Sequence, residues 1–181
     1  MGDATQTGTT VGTRTGMTPK KNKLHVEVPP GETIIRMNRE FDFPRDLVWK
    51  AFTSGEHMSK WWGPAKYKCI VHEFDFRNGG KWRIDHVDPD NGTVHPFHGE
   101  FSDIDAPNEF TWTFGYADFP PGTESYRYVD LGHGRCRIAS VSYFPTVEAR
   151  DTIAAGGMES GAIESYERLD ALLAQLSKAS K

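Results

Sequence analysis

The stretch that decides the fold is Trp61-Trp62-Gly63-Pro64. Two consecutive side chains on a helix cannot point in the same direction, so the two tryptophans must face different surroundings. Gly-Pro ends a helix, because proline has no N–H to donate and clashes with the preceding turn. The tetrapeptide therefore predicts a helix end that carries two large aromatic side chains. A turn of this kind packs a core, closes a pocket or presents a contact surface.

Length and charge limit the class of protein. A chain of 181 residues is long enough for one domain with a tail. Its formal net charge of −4 argues against a nucleic-acid partner, since nucleic-acid-binding proteins carry a basic surface. No apolar run approaches the length of a membrane span, and no signal-peptide pattern opens the sequence. The two cysteines, Cys69 and Cys136, are far apart and are expected to be reduced thiols, which favours a cytoplasmic protein.

The composition changes near residue 32. Residues 1–16 contain six Thr and four Gly and almost nothing to bury, and Pro29-Pro30-Gly31 follows further on. We therefore expect residues 1–31 to form a disordered tail and residues 32–178 to form the folded domain.

The pattern of the folded part predicts a strand, two short helices, six strands and a long helix. Residues 33–43 alternate as a strand, and the two helices end at Ser54-Gly55 and at Gly63-Pro64. Turn residues then separate six further strands, which are expected at residues 68–77, 81–87, 93–105, 108–116, 124–131 and 135–144.

The C-terminal segment is helical, with Thr146 as the expected N-cap and Gly156-Gly157 as an interruption. Beyond the glycines, one apolar stripe recurs at steps of four and three residues, which indicates a single buried face. On the exposed side, Glu164 and Arg168 are spaced to pair with each other. The stripe consists of Met158, Ala162, Ser165, Leu169, Leu172 and Leu176.

An antiparallel sheet with one buried face needs a cover, and the terminal helix is the element long enough to supply it. We therefore predict an α+β fold in which a curved antiparallel sheet of about six to seven strands wraps around the long C-terminal helix. The two short helices follow the first strand and close one end. This arrangement can leave a cavity between sheet and helix.

Several motifs, in this order along the chain, resemble the Hsp90-ATPase-activator-homologue (AHSA1-like) family of the START / Bet v 1-like (SRPBCC) helix-grip superfamily. The resemblance covers about residues 33–176. The motifs are Phe41 to Phe52, Glu56-His57, Trp61 to Pro64, Asn78 to Arg83, Phe97 to Phe101, Asn108 to Trp112, Phe144 to Thr146 and Gly157 to Asp170.

The resemblance implies a helix-grip fold with a hydrophobic cavity. Members of the superfamily bind lipids, sterols or polyketides, some are cyclases or hydrolases, and the eukaryotic namesake of the family stimulates Hsp90. Fold alone does not define function. The partner implied is therefore a small hydrophobic ligand, with a chaperone or another protein as the alternative. A weak homodimer would be compatible with the resemblance, although no residue argues for it, so either a monomer or a weak homodimer is expected.

A ligand cavity is the leading hypothesis from the residues themselves. Small residues occupy the first half of the inner helical stripe, and aromatic side chains share faces on the strands opposite. If large aromatic rings fill that space instead, the core is solid. The candidate cavity residues are Trp61, Trp62, Trp82, Ile84, His86, Phe97, Phe110, Trp112, Phe114, Tyr126, Met158, Ala162 and Ser165.

Catalytic and metal chemistry find less support. His72 and Glu73 point to opposite faces of a regular strand, as do His95 and His98, so neither cluster offers two ligands on one side. His86 shares the face of Trp82 and could orient a polar ligand group or act as a base, although a structural histidine, hydrogen-bonded or half-exposed, is the favoured explanation. We expect neither a metal nor a cofactor, and no nucleophile motif is present.

The orientation of the strand at residues 135–144 stays open in the sequence. If Ile138 faces the core, then Ser140 and Ser142 face the cavity and make one end of it polar, and Tyr126 could contribute. If Ala139, Val141 and Tyr143 face inward instead, the two serines face solvent.

Overall fold

The structure is a computed structural model that describes residues 22–119 and 121–179. It contains a single eight-stranded antiparallel sheet and four helices, which confirms the α+β helix-grip prediction. The strands are β1 (His25–Glu27), β2 (Ile34–Phe41), β3 (Lys68–Phe74), β4 (Lys81–Val87), β5 (Val94–Asp105), β6 (Glu109–Tyr116), β7 (Gly122–Gly132) and β8 (Arg135–Tyr143). The helices are α1 (Arg45–Phe52), α2 (Gly55–Trp61), α3 (Val147–Ala155) and α4 (Met158–Ala179).

The strand order is β1-β2-β8-β7-β6-β5-β4-β3, so the first long strand pairs with the last and every neighbouring pair is antiparallel. The chain leaves the sheet twice, once after β2 for α1 and α2 and once after β8 for α3 and α4. Both excursions cover the same face of the sheet, where the buried core lies. This is the face that strand alternation selects, because residues two apart share a side.

The N-terminal boundary of the domain differs from the prediction. His25–Glu27 pairs with β2, Leu24 is buried, and the Pro29 carbonyl oxygen accepts a hydrogen bond of 2.6 Å from Arg150 Nη1 of α3. Residues 24–29 therefore belong to the folded unit. The sheet has eight strands rather than the predicted six to seven, and β1 is the strand that was not predicted. The prediction of a disordered tail for residues 1–21 lies outside the described residues.

Two capping residues set the helices next to the cavity. Ser54 Oγ accepts a hydrogen bond from the N–H of His57 at the start of α2, and Thr146 Oγ1 accepts one from Ala149 at the start of α3. The Thr146 cap confirms the sequence prediction and satisfies an N–H that the first helical turn leaves free. The predicted interruption also occurs, since Gly156 and Gly157 separate α3 from α4, and Gly157 adopts a φ of +86°.

The second half of α4 packs firmly against the sheet, whereas its first half does not. Leu169, Leu172 and Leu173 are buried in the core, and Tyr166 stacks near Trp61 with a ring-centroid distance of 6.2 Å. Towards the N-terminus of α4, the small side chain of Ala162 faces the sheet instead. The cavity between sheet and helix lies at this end.

No helix among the described residues is both long enough and apolar enough to cross a membrane.

Candidate functional site, a cavity between the sheet and the C-terminal helix

The turn at Trp61-Trp62-Gly63-Pro64 is fixed to α4 by backbone hydrogen bonds. The N–H of Gly63 donates to Ser165 Oγ at 3.0 Å, and Arg168 Nη1 donates to the Gly63 carbonyl oxygen at 2.6 Å. Glu164 Oε1 accepts a bond of 2.7 Å from the N–H of Ala65. Glu164 and Arg168 thus both bind this turn, which corrects the expectation that they pair with each other.

The two tryptophans of the turn have different environments, and both point inward. Trp61 is 2% exposed, and its Nε1 donates to the Ala51 carbonyl oxygen at 3.0 Å. Trp62 is partly buried and packs on the sheet, with ring centroids 4.7 Å from His86 and 5.1 Å from Phe97. Trp61 therefore anchors α2 to α1, while Trp62 forms a wall of the space between sheet and helix.

A cavity of about 450 Å³ lies between the sheet and the first half of α4. Its wall comes from the turn after α2, from six of the strands, from α3 and from α4, and its lining is mostly apolar. Phe119 and Tyr143 are 51% and 49% exposed and also line it, so the cavity meets solvent between the β6–β7 loop and the end of β8. The predicted residues that line it are Trp61, Trp62, His86, Phe97, Phe114, Tyr126, Met158, Ala162 and Ser165.

Four of the predicted cavity residues are absent from the wall that the described residues form: Trp82, Ile84, Phe110 and Trp112. Trp82 and Trp112 stack on each other at 4.6 Å, and Trp62 contacts both rings and takes their place in the wall. Phe110 packs edge-on against Trp49 of α1 at 5.9 Å, and Ile84 is fully buried. Aromatic side chains therefore fill the half of the domain that lies near α1, as the solid-core alternative predicted. The cavity is confined to the other half, near the start of α4.

The wall includes a buried carboxyl group that the sequence reasoning missed. Glu124 of β7 is 7% exposed, and its Oε2 accepts a hydrogen bond of 3.2 Å from Trp112 Nε1. Its Oε1 has no hydrogen-bond partner among the described residues. Burial raises the pKa of Glu124, and this effect outweighs the opposing one of the groups around the carboxyl, which are the Tyr126, Ser140 and Ser142 hydroxyls and the Trp112 N–H. The sequence could have indicated this position, because Glu124 is two residues from Tyr126 on the same strand and therefore lies on the same face of the sheet.

The orientation of β8 resolves the question that the sequence left open. Ile138 and Ser140 are buried, at 1% and 2% exposure, and Ser142 lines the cavity. The alternative with Ala139 facing inward is therefore wrong. Because Ser142 is the register partner of Glu124, hydroxyl groups and the carboxyl group together make one polar region in an otherwise apolar wall.

His86 faces the cavity from β4, and the turn of Gly63 covers it. A Cβ atom placed on Gly63 would lie only 2.1 Å from His86 Cε1, so the ring and the glycine backbone are in direct contact. The side chain is 5% exposed, and burial lowers the pKa of His86 to about 4. The imidazole is therefore neutral at physiological pH, and its Nε2 lacks a hydrogen-bond partner within the described part of the chain.

Ser165 has a structural role and also lines the cavity. Its Oγ donates to the Gly161 carbonyl oxygen at 2.7 Å and accepts from the N–H of Gly63. The hydroxyl group is therefore satisfied by the protein itself. Ser165 holds the turn against α4 and contributes mainly its small size to the cavity.

The remaining reactive side chains are not arranged for nucleophilic or metal chemistry. Cys69 and Cys136 are free, and burial raises the pKa of their thiols to about 11 and about 12, so the reactive thiolate form is scarce. Within residues 22–119 and 121–179, no group of three His, Cys, Asp or Glu side chains is placed to hold a metal ion.

Solved structures resemble this one along most of its length. A protein from Arthrobacter aurescens is 26% identical, with a TM-score of 0.76 over 83% of this chain and 91% of the other. Protein Ms6760 from Mycobacterium smegmatis is also 26% identical, with a TM-score of 0.75 over 84% of this chain and 98% of the other. A Rhodobacter sphaeroides protein, at 22% identity, shares the fold with a TM-score of 0.78 over 85% and 99% of the two chains.

No curated protein matches the sequence significantly. The sequence model of one family matches residues 42–174, which include α1, α2, the turn that follows them, the six strands β3 to β8, α3 and most of α4. That family is described as Activator of Hsp90 ATPase homolog 1-like protein, and because its model spans most of the chain, this protein belongs to the AHSA1 family.

Proposed function

We propose that this protein binds a small hydrophobic or amphipathic molecule, lipid-like or polyketide-like, in the cavity between the sheet and α4, without catalysing a reaction on it. The cavity itself carries the proposal. Its volume of about 450 Å³ lies in the range of small-molecule sites, and such sites are typically apolar with a few polar groups. The wall has this character, with aromatic rings on most sides and Glu124 and His86 as buried polar side chains.

Two further observations support binding rather than catalysis. The high pKa values of both thiols make them poor nucleophiles at neutral pH. The pKa of His86 near 4 makes its imidazole a weak base. Neither the thiols nor the imidazole is therefore suited to bond cleavage at neutral pH. Free thiols also support a cytoplasmic location as part of the proposal.

A titration with N-phenyl-1-naphthylamine, a neutral apolar fluorophore, tests the proposal. Ala162 lines the cavity, so Ala162→Phe places a ring in the space that a ligand would occupy. We expect the wild type to enhance the fluorescence saturably and Ala162→Phe to weaken binding at least about tenfold. Ala171→Phe is the matched control, because Ala171 lies on the exposed face of the same helix. Equal binding by all three proteins would contradict the proposal.

The family description favours a second candidate function, the stimulation of an Hsp90-type chaperone. This function would use the surface of the domain rather than its interior. The ATPase rate of such a chaperone with added protein tests it. If the surface is responsible, Ala162→Phe should stimulate as well as the wild type while losing the fluorophore, so one variant separates the two candidates.

A further inference from the structure

Among its described residues, the cavity wall has neither lysine nor arginine to pair with an acidic ligand. His86 is the basic side chain of this wall, but burial lowers its pKa to about 4, so its ring is uncharged at neutral pH. Glu124 is itself an acid and cannot attract an anion. An anionic ligand inside the cavity would therefore lack a counter-ion among these residues.

Two arginines bond to residues of the wall from outside it, and both guanidinium groups are already engaged. Arg168 donates to the Gly63 carbonyl oxygen at 2.6 Å and to a second backbone carbonyl oxygen at 2.9 Å. Arg39 donates to the Tyr166 carbonyl oxygen at 2.8 Å and pairs with Asp170. If either arginine turned towards a ligand, these buried acceptors would lose their partners, which is unfavourable.

The exposed ionisable side chains of the β6–β7 loop and of α3, two segments of the wall, are acidic. They are Asp118, Glu148 and Asp151. The arginine of α3, Arg150, is 3% exposed and donates to Asp151 and to a backbone carbonyl oxygen. The N-terminal end of α4 brings a partial positive charge to the wall, but Glu159 in its first turn offsets that charge. The charges around the cavity therefore oppose the approach of an anion.

Three hydroxyl groups of the wall are also engaged by the protein itself. Those of Tyr126 and Ser142 bond to the Glu124 carboxyl group. Ser165 Oγ donates to the Gly161 carbonyl oxygen at 2.7 Å. An apolar ligand leaves these bonds intact, whereas a carboxylate inside the cavity would compete with the protein for the same donors.

Given the proposed binding function, on which this step rests, we propose that the cavity takes uncharged apolar molecules, neutral amides, ketones and esters included, and excludes carboxylates of the same shape. An uncharged molecule needs no counter-ion, and its apolar part packs against the aromatic rings of the wall. A carboxylate would lose its hydration without gaining an ion pair, and burying an unpaired charge is strongly unfavourable. The ligand class is therefore neutral rather than fatty-acid-like.

Displacement of bound N-phenyl-1-naphthylamine by 2-naphthamide and by 2-naphthoate tests the proposal on the full chain at neutral pH. The two competitors have nearly the same shape and differ in charge. We expect the amide to displace the fluorophore from the wild type at a concentration at least about a hundredfold lower than the carboxylate, because only the carboxylate loses the hydration of an ion when it enters.

A substitution at the mouth of the cavity tests the proposal by gain of function. Tyr143 is 49% exposed and lines the cavity, so Tyr143→Lys brings a cation to the wall without burying it fully. Tyr143→Met is the matched control, with a side chain of similar length and no charge. The affinity for 2-naphthoate relative to 2-naphthamide should be at least about tenfold higher in Tyr143→Lys than in Tyr143→Met. A change in packing alone affects both competitors alike and leaves this ratio unchanged.

The outcomes distinguish the charge selection from the proposed function. If 2-naphthoate displaces the fluorophore from the wild type as well as 2-naphthamide does, if neither displaces it, or if the ratio is the same in both Tyr143 variants, the charge selection is overturned while the cavity remains a binding site. If N-phenyl-1-naphthylamine does not bind the wild type, the proposed function fails and the charge selection fails with it.

Discussion

Gly63 and His86 are in direct contact, since a Cβ atom on Gly63 would lie 2.1 Å from His86 Cε1. The contact joins the turn after α2 to strand β4, and Gly63 adopts a φ of +85°, a conformation that other residues adopt only with strain. The same glycine is bound to Ser165 and Arg168 of α4. One residue thus connects the short helices, the sheet and the long helix at the edge of the cavity.

Gly63→Ala should destabilise the fold by about 3 kcal/mol, because it adds a steric clash to the strain of a positive φ. Gly92→Ala is the matched control. Gly92 has a φ of +75°, and a Cβ atom there would meet nothing within 4 Å, so we expect a loss of about 1 kcal/mol from the backbone alone. Urea unfolding measures both. An equal loss of unfolding free energy in the two variants would show that the contact with His86 does not contribute to stability.

Arg168→Met should lower the free energy of unfolding by about 2 kcal/mol, since it removes charged hydrogen bonds to the carbonyl oxygens of Gly63 and Lys60. Arg127→Met provides the comparison. Arg127 is 70% exposed and pairs with Glu109 at the surface, so its loss should stay below about 0.5 kcal/mol. If the two variants unfold at the same urea concentration, the turn does not depend on α4 for its position.

His86 should make the protein less stable in acid. Its folded-state pKa of about 4 lies below the ordinary value of 6.5, so the unfolded chain binds the proton more readily. The contribution of the neutral imidazole to the free energy of unfolding is therefore complete above pH 6.5 and is lost as the pH falls to 4, by up to about 3 kcal/mol. His86→Gln should flatten the unfolding free energy over that interval, measured by urea at each pH. The same slope in both proteins would contradict burial as the cause.

Glu124 should have the opposite dependence. Its pKa is raised in the fold, so the folded protein holds the proton more tightly, and stability falls as the pH rises above the ordinary value of 4.5. The stability of Glu124→Gln relative to the wild type should therefore increase between pH 4.5 and pH 7.5. A difference that does not change with pH would mean that the carboxyl group ionises as it does in the unfolded chain.

The sequence predicted the elements more fully than the site. Periodicity and turn residues identify seven of the eight strands, and Thr146 and Gly156-Gly157 define the helical segments correctly. The missed strand, His25–Glu27, is three residues long and joins the sheet through backbone pairing with β2. Backbone pairing leaves no side-chain pattern, so the segment was indistinguishable from the tail.

Cavity residues could be predicted where the alternation of side chains along a strand determines which face they are on. They could not be predicted where the packing of one segment on another determines the cavity wall. The alternation of residues along the strands predicted that His86 and Phe114 lie on the inner face, and both line the cavity. It could not show that Trp62 would cover Trp82, because that depends on how the turn docks on the sheet. Glu124 was missed because an acidic residue in a strand ordinarily faces water.

Native mass spectrometry of gently purified protein tests the central claim of a ligand-binding cavity most directly. It also tests the expectation of a monomer or weak homodimer. We predict that wild type and Ala171→Phe carry a noncovalent small-molecule adduct, released by collisional activation, and that Ala162→Phe carries none. A wild-type protein that shows only its own mass, with or without added N-phenyl-1-naphthylamine, would contradict the account.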